Sequence, residues 1–266
     1  MRVGHAHLCA GPLRRRFFLC TPYGSMVSML TGMILAAGMG KRLKDLGIET
    51  PKPLLPVAGK TLLEHMMAFV RGLGSDELIV VGGYQFPKVE AVARGFDAKA
   101  KLAENPDFLL QNLLSFKRGV EIAPKGDLFV CNADYIFKEH TKEAVKANLT
   151  KLAVFSSTDL SGDTSDVMKV KVDESGNVTE MSKQLTDFSM IYTGMFFIPE
   201  SLRDLVLRLT DDILATADQT KATVEWLFPA LRKAGEKVYS ADIGKADWFE
   251  IDTPEEWALA KLALER

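Results

Sequence analysis

Three features of the sequence predict a three-layer α/β fold with a mainly parallel central sheet and an antiparallel hairpin inserted into it. Short apolar runs alternate with amphipathic stretches along most of the chain. A basic segment containing two glycines directly follows the first of those runs. Between residues 167 and 182, two alternating runs flank a turn. Strand, helix and strand in repetition demand right-handed crossovers, hence a Rossmann-like sheet with helices on both faces.

The runs at 33–37, 78–81, 101–103, 128–132 and 152–156 read as strands, each short, apolar and bounded by polar or turn-forming residues. Over 61–73, Leu62, Leu63, Met66, Met67, Phe69, Val70 and Leu73 recur at helical spacing and cover one face. Segments 87–94, 109–122 and 138–149 read as further helices. Residues 167–172 and 178–182 alternate around Asp173-Glu174-Ser175-Gly176-Asn177, the pattern of a hairpin. Residues 190–198 form a buried strand, followed by helices over 201–209 and 221–233 and a strand over 237–243. Thr253-Pro254-Glu255-Glu256 opens a last helix, with a threonine cap, a proline at the first position and acids in the first turn. No linker rich in Pro, Gly or Ser interrupts the pattern, so 33–266 reads as one domain.

With 47% hydrophobic and 26% charged residues, the 266-residue chain is neither disordered nor collagen-like. Apolar runs such as 190–199 fall short of the ~20 residues of a membrane span. A formal net charge of −2 points to a small-molecule ligand, not a nucleic acid. Three cysteines give no disulfide framework, and Cys131, within Leu128-Phe129-Val130-Cys131, reads as a small core residue. His5, His7, His65 and His140 have no metal-ligand spacing, and His65 falls in the apolar stretch of the 61–73 helix. A reduced, cytoplasmic setting fits this composition, and a homodimer is compatible with it.

Residues 1–32 have no period. The stretch Arg14-Arg15-Arg16-Phe17-Phe18-Leu19-Cys20 is too short in its apolar part for a signal peptide. Met26, Met29 and Met33 follow closely, and translation is expected to begin at one of them, leaving 1–32 as an extension outside the domain.

The chemistry concentrates in Leu35-Ala36-Ala37-Gly38-Met39-Gly40-Lys41-Arg42-Leu43. Two glycines allow a tight turn whose N–H groups approach an anion. Ala36 and Ala37 leave room for a base or ribose. Lys41 and Arg42 add charge, and a guanidinium grips phosphate oxygens in pairs. Ligands of open α/β sheets bind at such strand ends. The segment is not a Walker A loop, and it lacks the third glycine of the dinucleotide fingerprint. Pro51-Lys52-Pro53-Leu54 follows, where two prolines limit the entropy lost in aiming one lysine.

Leu-Ala-Ala-Gly-x-Gly-x-Arg-Leu followed by Pro-Lys-Pro-Leu resembles the nucleotidyltransferase superfamily that makes NDP-sugars and CDP-alcohols. Within it the chain is similar to the phosphocholine, inositol-1-phosphate and 2-aminoethylphosphonate cytidylyltransferases, from Met33 nearly to the C-terminus. The resemblance implies a Rossmann-like three-layer nucleotidyltransferase fold binding a nucleoside triphosphate, CTP favoured, over Leu35, Ala36, Ala37, Gly38, Met39, Gly40 and Lys41. It implies that Arg42 holds the triphosphate and that Lys52 sits by the α-phosphate. It also implies Mg²⁺ on two acids: Asp134, which closes the strand at 128–132, and Asp252 in Phe249-Glu250-Ile251-Asp252-Thr253-Pro254, just before the last helix. Arg42, Lys52, Asp134 and Asp252 are thus the expected catalytic set.

Further residues follow from the same resemblance. Glu250 matches the choline and phosphonate enzymes, facing metal or a cationic acceptor. Lys183 matches the lysine that holds the acceptor's phosphate in the inositol-1-phosphate branch, and Thr193-Gly194 is expected to line the pocket floor. These two signals point to different acceptors. Asn105, Asn112 and Ser115 resemble the stretch beside the nucleotide, where asparagine suits a base edge.

The reaction implied is attack by an acceptor phosphate oxygen on the α-phosphorus of CTP, with release of pyrophosphate and no general base. It agrees with the lack of a Ser, His or Cys constellation. A uridylyl- or thymidylyltransferase making an NDP-sugar shares the first loop and is the near alternative. A non-catalytic nucleotide-binding regulatory or scaffold relative is the distant one.

Overall fold

The computed structural model describes residues 28–44, 47–162, 164–245 and 248–265; the expectations for 1–27 lie outside them. β1 (Leu30–Ala36) leads through the glycine segment into the short α1 (Lys41–Lys44). A 3₁₀ turn over Lys52–Leu54 then precedes β2 (Pro56–Val57) and β3 (Lys60–Thr61). α2 (Leu62–Gly72), β4 (Glu77–Gly82), α3 (Phe86–Phe96), β5 (Lys101–Glu104), α4 (Asn112–Ile122) and β6 (Asp127–Asn132) alternate. Next come β7 (Tyr135–Phe137), α5 (Glu139–Lys146), β8 (Ala153–Ser157), the hairpin of β9 (Lys169–Val172) and β10 (Val178–Ser182), and β11 (Met190–Ile198). α6 (Arg203–Thr216), α7 (Leu227–Lys233), β12 (Tyr239–Asp242), β13 (Trp248–Glu250) and α8 (Pro254–Leu264) follow.

β1 is central, parallel to β6 on one edge and to β4 on the other, with β5 parallel beyond β4. Beyond β6 the sheet becomes antiparallel through β11. β11 serves as a fork. One of its edges pairs β8 along most of its length, while the other pairs β9 at Met190–Ile191 and β6 at Met195–Ile198. On the β8 edge the register shifts between Tyr192 and Met195, opposite the gap between β9 and β6, and Gly194 takes a φ of +70° there. β12 runs parallel to β8.

Strand periodicity distributes the core over two faces. From β1, Met33 and Leu35 enter one cluster with Phe116 of α4, Val206 of α6 and Phe228 of α7. Ile34 and Ala36 enter the other with Met66 of α2, Val89 of α3 and Val145 of α5. A smaller cluster of Leu43, Leu55, Val57, Leu62, Ile136, Ile251 and Ala260 joins α1, β2 and α8. Cys131 is buried in the second cluster with its thiol pushed well up by burial, which is the core role expected of it.

Several boundaries differ from expectation for physical reasons. β1 begins at Leu30, three residues before the domain boundary read at 33. Thr31 is fully buried, and a Cβ on Gly32 would come within 2.0 Å of Val70 Cγ1. Gly32 is there to admit α2, not to end a segment. α6 continues to Thr216, because Thr210 is buried with its hydroxyl donating to the Val206 carbonyl (2.8 Å). The Thr210-Asp211-Asp212 step therefore does not break the helix. β2, β3, β7 and β13 are too short to show a period.

The start of β1 yields a test. Asp76 N donates to Leu30 O (2.8 Å), Asp127 N donates to Met29 O (2.9 Å), and Leu30 N donates to Asp76 Oδ2 (2.9 Å). A chain starting at Met33 loses all three and exposes the ends of β4 and β6. It is expected to be less stable than a chain starting at Met26 by roughly 3 kcal/mol or more, at ~1 kcal/mol per bond plus burial, measured by urea unfolding. Equal midpoints would show that Met29–Gly32 contribute nothing.

Candidate functional site

At the carboxyl end of β1 the backbone opens into a cleft of about 410 Å³. Leu35, Ala37, Gly38, Met39, Gly40 and Lys41 form one wall, and Phe108, Leu109, Leu110, Gln111, Asn112 and Ser115 form the other. Asn132 and Asp134 close the floor. Of the residues assigned to the nucleotide, two do not line the cleft. Ala36 falls on the opposite face, as strand alternation requires, and packs in the second core cluster. Asn105 is fully buried; its Nδ2 donates to Ser115 Oγ (2.9 Å) and its Oδ1 accepts from Asp107 N (3.1 Å). It therefore shapes the second wall from beneath. Asn112 lines the cleft while its Oδ1 accepts from Val224 N (2.9 Å), tying α4 to the turn before α7. The wall at 108–111 was not foreseen; its sequence reads as the start of a helix that begins only at Asn112.

The two aspartates are brought together by a device with little sequence signature. β7 and β13 form a two-stranded antiparallel ladder that pairs Glu250 with Tyr135, and Ile251 N donates to Asp134 O (3.0 Å). Asp134 thus precedes one strand and Asp252 follows the other, at the same end. The start of α8 fixes Asp252, since the Glu256 carboxylate accepts from the backbone N–H groups of Asp252 (2.7 Å) and Thr253 (2.8 Å). Thr253 and Glu256 form the reciprocal cap that the sequence signalled.

Between the aspartates lies Lys52. Its Nζ donates to Asp134 Oδ2 (2.6 Å) and to Asp252 Oδ1, and its side chain is only 10% exposed. Burial alone would lower its pKa; the two carboxylates more than reverse that, so the ammonium is held charged. Removing both acids would leave the buried ammonium uncompensated, whereas removing one leaves it still paired with the other. Gly40 stands directly over the lysine stem. A Cβ there would lie 2.8 Å from Lys52 Cβ, and its φ of +68° suits glycine. The glycine loop and the Pro-Lys-Pro turn are therefore in contact.

Arg42 projects into solvent, pairing with Asp166 Oδ2 (2.6 Å) and Asp252 Oδ2 (3.6 Å). The other Asp166 oxygen takes Lys183 Nζ (2.7 Å). Asp166 thereby links the first loop to a second cavity of about 380 Å³, lined by Lys183 with Met168, Met181, Ser182, Glu225, Trp226 and Pro229. Burial pushes the Glu225 carboxyl up, and hydrogen bonding from Thr223 pulls it back. Glu225 and Trp226 carried no sequence signal beyond their place in a helical stretch. Thr193 is fully buried with its hydroxyl donating to Phe155 O (2.9 Å), so it locks β11 to β8 and does not line a floor. Gly194 does lie against the floor, since a Cβ there would meet Tyr135 Cε2 at 2.6 Å and Asn132 Nδ2 at 3.2 Å. His65 accepts or donates at Val57 O (2.9 Å) and is structural.

Asp134 Oδ1 is buried without a hydrogen-bond partner. Among the described residues no three His, Cys, Asp or Glu side chains form a metal cluster. Two carboxylates with a free oxygen at a phosphate-sized cleft nonetheless fit a hard cation, which usually takes one or two carboxylates plus phosphate oxygens. Glu250 is not spare for that purpose. Burial pushes its carboxyl up to about 8, with Asp134 and Asp252 pushing further and the Tyr135 hydroxyl and Lys52 opposing.

That shift sets a pH dependence. The folded pKa of Glu250 lies above its ordinary value of 4.5, so folding favours the protonated acid. Its contribution is full below about 4.5 and is lost as pH rises through about 8. In EDTA, the urea midpoint of the wild type is expected to fall across this window. Glu250→Gln, which still accepts from Tyr135, should flatten the fall and be the more stable protein above pH 8. Parallel curves for the two proteins would remove Glu250 as the titrating group.

A model of the MobA-like NTP transferase domain matches residues 32–165. A bifunctional IPC transferase and DIPP synthase of Rubrobacter xylanophilus is 29% identical over 234 residues, covering 86% of this chain and 50% of that protein. A 2-aminoethylphosphonate cytidylyltransferase of Lancefieldella rimae is 27% identical over 182 residues, covering 68% and 72%. The chain spans about half the length of the first curated relatives it matches. In fold it is similar to the inositol-1-phosphate CTP transferase from T. maritima, with a TM-score of 0.74 at 22% identity over 88% of this chain and 96% of that one. The CTP:phosphocholine cytidylyltransferase from Streptococcus pneumoniae gives a TM-score of 0.71 at 18% identity over 89% and 99%. These agree with the fold expected from the glycine loop and the Pro-Lys-Pro turn, and the matched span is half of the chain: it belongs to the MobA-like NTP transferase domain family.

Proposed function

We propose that this protein transfers CMP from CTP to the phosphate or phosphonate of a small acceptor, releasing pyrophosphate. One observation carries the reading. The Lys52 ammonium is gripped by Asp134 and Asp252 at the edge of the glycine-loop cleft, which gathers positive and negative groups from three distant parts of the chain where an α-phosphate would lie. CTP as the nucleotide is supported by the names of the relatives.

In this reading the Gly38–Gly40 backbone and Lys41 bind the triphosphate, Arg42 neutralises it from the solvent side, and Ala37 leaves space for the sugar and base. Asn112 and Ser115 face the base from the other wall. An acceptor phosphate oxygen bonds to the α-phosphorus as the bond to the bridging oxygen breaks, and the electron pair leaves with pyrophosphate. The acceptor oxyanion needs no base, so the chain's residues act by positioning and charge. Lys52 stabilises charge on the α-phosphate. Asp134 and Asp252 would hold a divalent ion, Mg²⁺ by family habit, whose chemistry is charge neutralisation of the phosphates.

The second cavity supports an acceptor class. Lys183 offers a cation for the acceptor's phosphate, and Glu225 and Trp226 offer a carboxylate and an indole in the same cavity. A cation over indole is attracted by the ring and by a nearby carboxylate alike. This combination favours an acceptor with an ammonium group, as in 2-aminoethylphosphonate, over an uncharged polyol phosphate.

The test is pyrophosphate release with Mg²⁺, crossing CTP, UTP, dTTP, ATP and GTP against 2-aminoethylphosphonate, phosphocholine, inositol-1-phosphate, glycerol-3-phosphate and glucose-1-phosphate. Release is expected with CTP and an amine-bearing acceptor. Lys52→Met should lose about 10²–10³ in kcat. Glu225→Gln should raise KM for the amine acceptor by roughly tenfold with little change in kcat. Release with UTP and glucose-1-phosphate alone would replace this reading by NDP-sugar synthesis. Failure to bind any nucleotide would end it.

A further inference from the structure

A buried ammonium held by two carboxylates lies where the proposed metal would bind. Lys52 enters from the Pro-Lys-Pro turn, with Pro51 and Pro53 restricting its backbone and Gly40 pressed on its stem. Its Nζ takes one oxygen of Asp134 and one of Asp252, leaving Asp134 Oδ1 buried and unpartnered and Asp252 Oδ2 facing Arg42 at 3.6 Å. Lys52 and Arg42 together already bring to the two carboxylates the two positive charges that a divalent ion would bring. An ion approaching this group meets an ammonium in contact with both donors and a guanidinium beside one of them, so like charges face it. The lysine also has somewhere else to go. Its stem lies under the glycine loop, and a lysine's ammonium sits on a flexible four-carbon stem, so an anion lying on that loop would compete with the acids for Nζ.

We infer that Lys52 is the resident counter-ion of the Asp134–Asp252 pair, keeping a divalent metal off these acids until a bound triphosphate draws the ammonium away. The inference rests on the nucleotidyl-transfer reading only for the identity of the anion. The exclusion of metal by the lysine is a property of the ligand-free protein. Metal and nucleotide then load together, and the ligand-free enzyme does not gather metal at an unguarded pair of acids.

The experiment uses the whole chain without nucleotide and Mn²⁺ as the probe, with bound and free ion distinguished by electron paramagnetic resonance. The wild type and Lys52→Arg, which keeps the cation, are expected to bind Mn²⁺ weakly. Lys52→Met should bind it tighter by roughly tenfold or more, the scale on which a neighbour tunes metal affinity. Its melting temperature should rise on adding Mg²⁺, because the ion replaces the missing counter-charge, whereas the wild type's should not. Equal Mn²⁺ affinity in wild type and Lys52→Met, whether both tight or both weak, overturns the inference.

If Lys52→Met does not fold even in Mg²⁺, the wild type decides through its ¹⁵N-labelled lysine ammonium resonances. A hydrogen-bonded Lys52 signal unmoved by millimolar Mg²⁺ supports the inference, and its displacement by Mg²⁺ alone overturns it. CTP binding measured separately by calorimetry distinguishes the two readings. Loss of CTP binding with the Mn²⁺ contrast intact would remove the nucleotide reading and leave the lysine's role standing.

Discussion

The site depends on one constraint: a buried ammonium must have acids beside it, and here two half-buried aspartates supply them. Lys52 alone would be driven toward neutrality by burial. Asp134 and Asp252 hold it charged, and the geometry of three remote segments follows from bringing the three groups to one point. The Pro-Lys-Pro turn is rigid because the lysine must be aimed. The β7–β13 ladder exists where two strand ends must meet. The cap of α8 pins Asp252 through the same glutamate that starts the helix.

The fork in the sheet gives this point two approaches. If β11 paired one neighbour along its whole edge, the end of β6 would be covered. Instead β9 takes the edge at Met190–Ile191 and β6 takes it from Met195 onward, with Gly194 turning the chain between them. Asn132 and Asp134, at the end of β6, therefore face the glycine-loop cleft, while the β9–β10 hairpin carries Lys183 away to a second cavity with Glu225 and Trp226. The proposed transfer needs donor and acceptor to meet at one phosphorus from opposite sides, and a sheet that divides at this end would supply that separation.

What the sequence disclosed, and what it withheld, follows from range. The strands and helices built on period, such as β11 and α2, were legible at their true positions, because each element's burial pattern is written in its own residues. Lys52, Asp134 and Asp252 were legible as types at strand and turn ends. Their mutual contact was not, because two- and three-residue strands have no period and the pairing spans most of the chain. Ala36 and Thr193 were misplaced by reading a motif as a contiguous lining, whereas strand alternation turns every second residue to the other face. Glu225 and Trp226 were invisible for the opposite reason: a helical stretch explained them fully until the hairpin was seen to face it.

Three cations of the ligand-free site already have carboxylates: Lys52 has Asp134 and Asp252, Arg42 has Asp166 and Asp252, and Lys183 has Asp166. Under the proposed function, binding a triphosphate and a phosphorylated acceptor would therefore be an exchange of anions, not a capture by free charge. An exchange of this kind contributes less net affinity than the count of cations suggests, since each new contact replaces an old one. It contributes more selectivity, because a ligand must outcompete a carboxylate at several points in register. The exposed Arg42–Asp166–Lys183 links are cheap to break, whereas the buried Lys52 contacts are not. Phosphates at the rim can thus exchange readily, while the last exchange, at the α-phosphate, needs an anion of high charge held close by the glycine loop. That ordering follows from burial alone, and it places the most demanding recognition step at the bond to be broken.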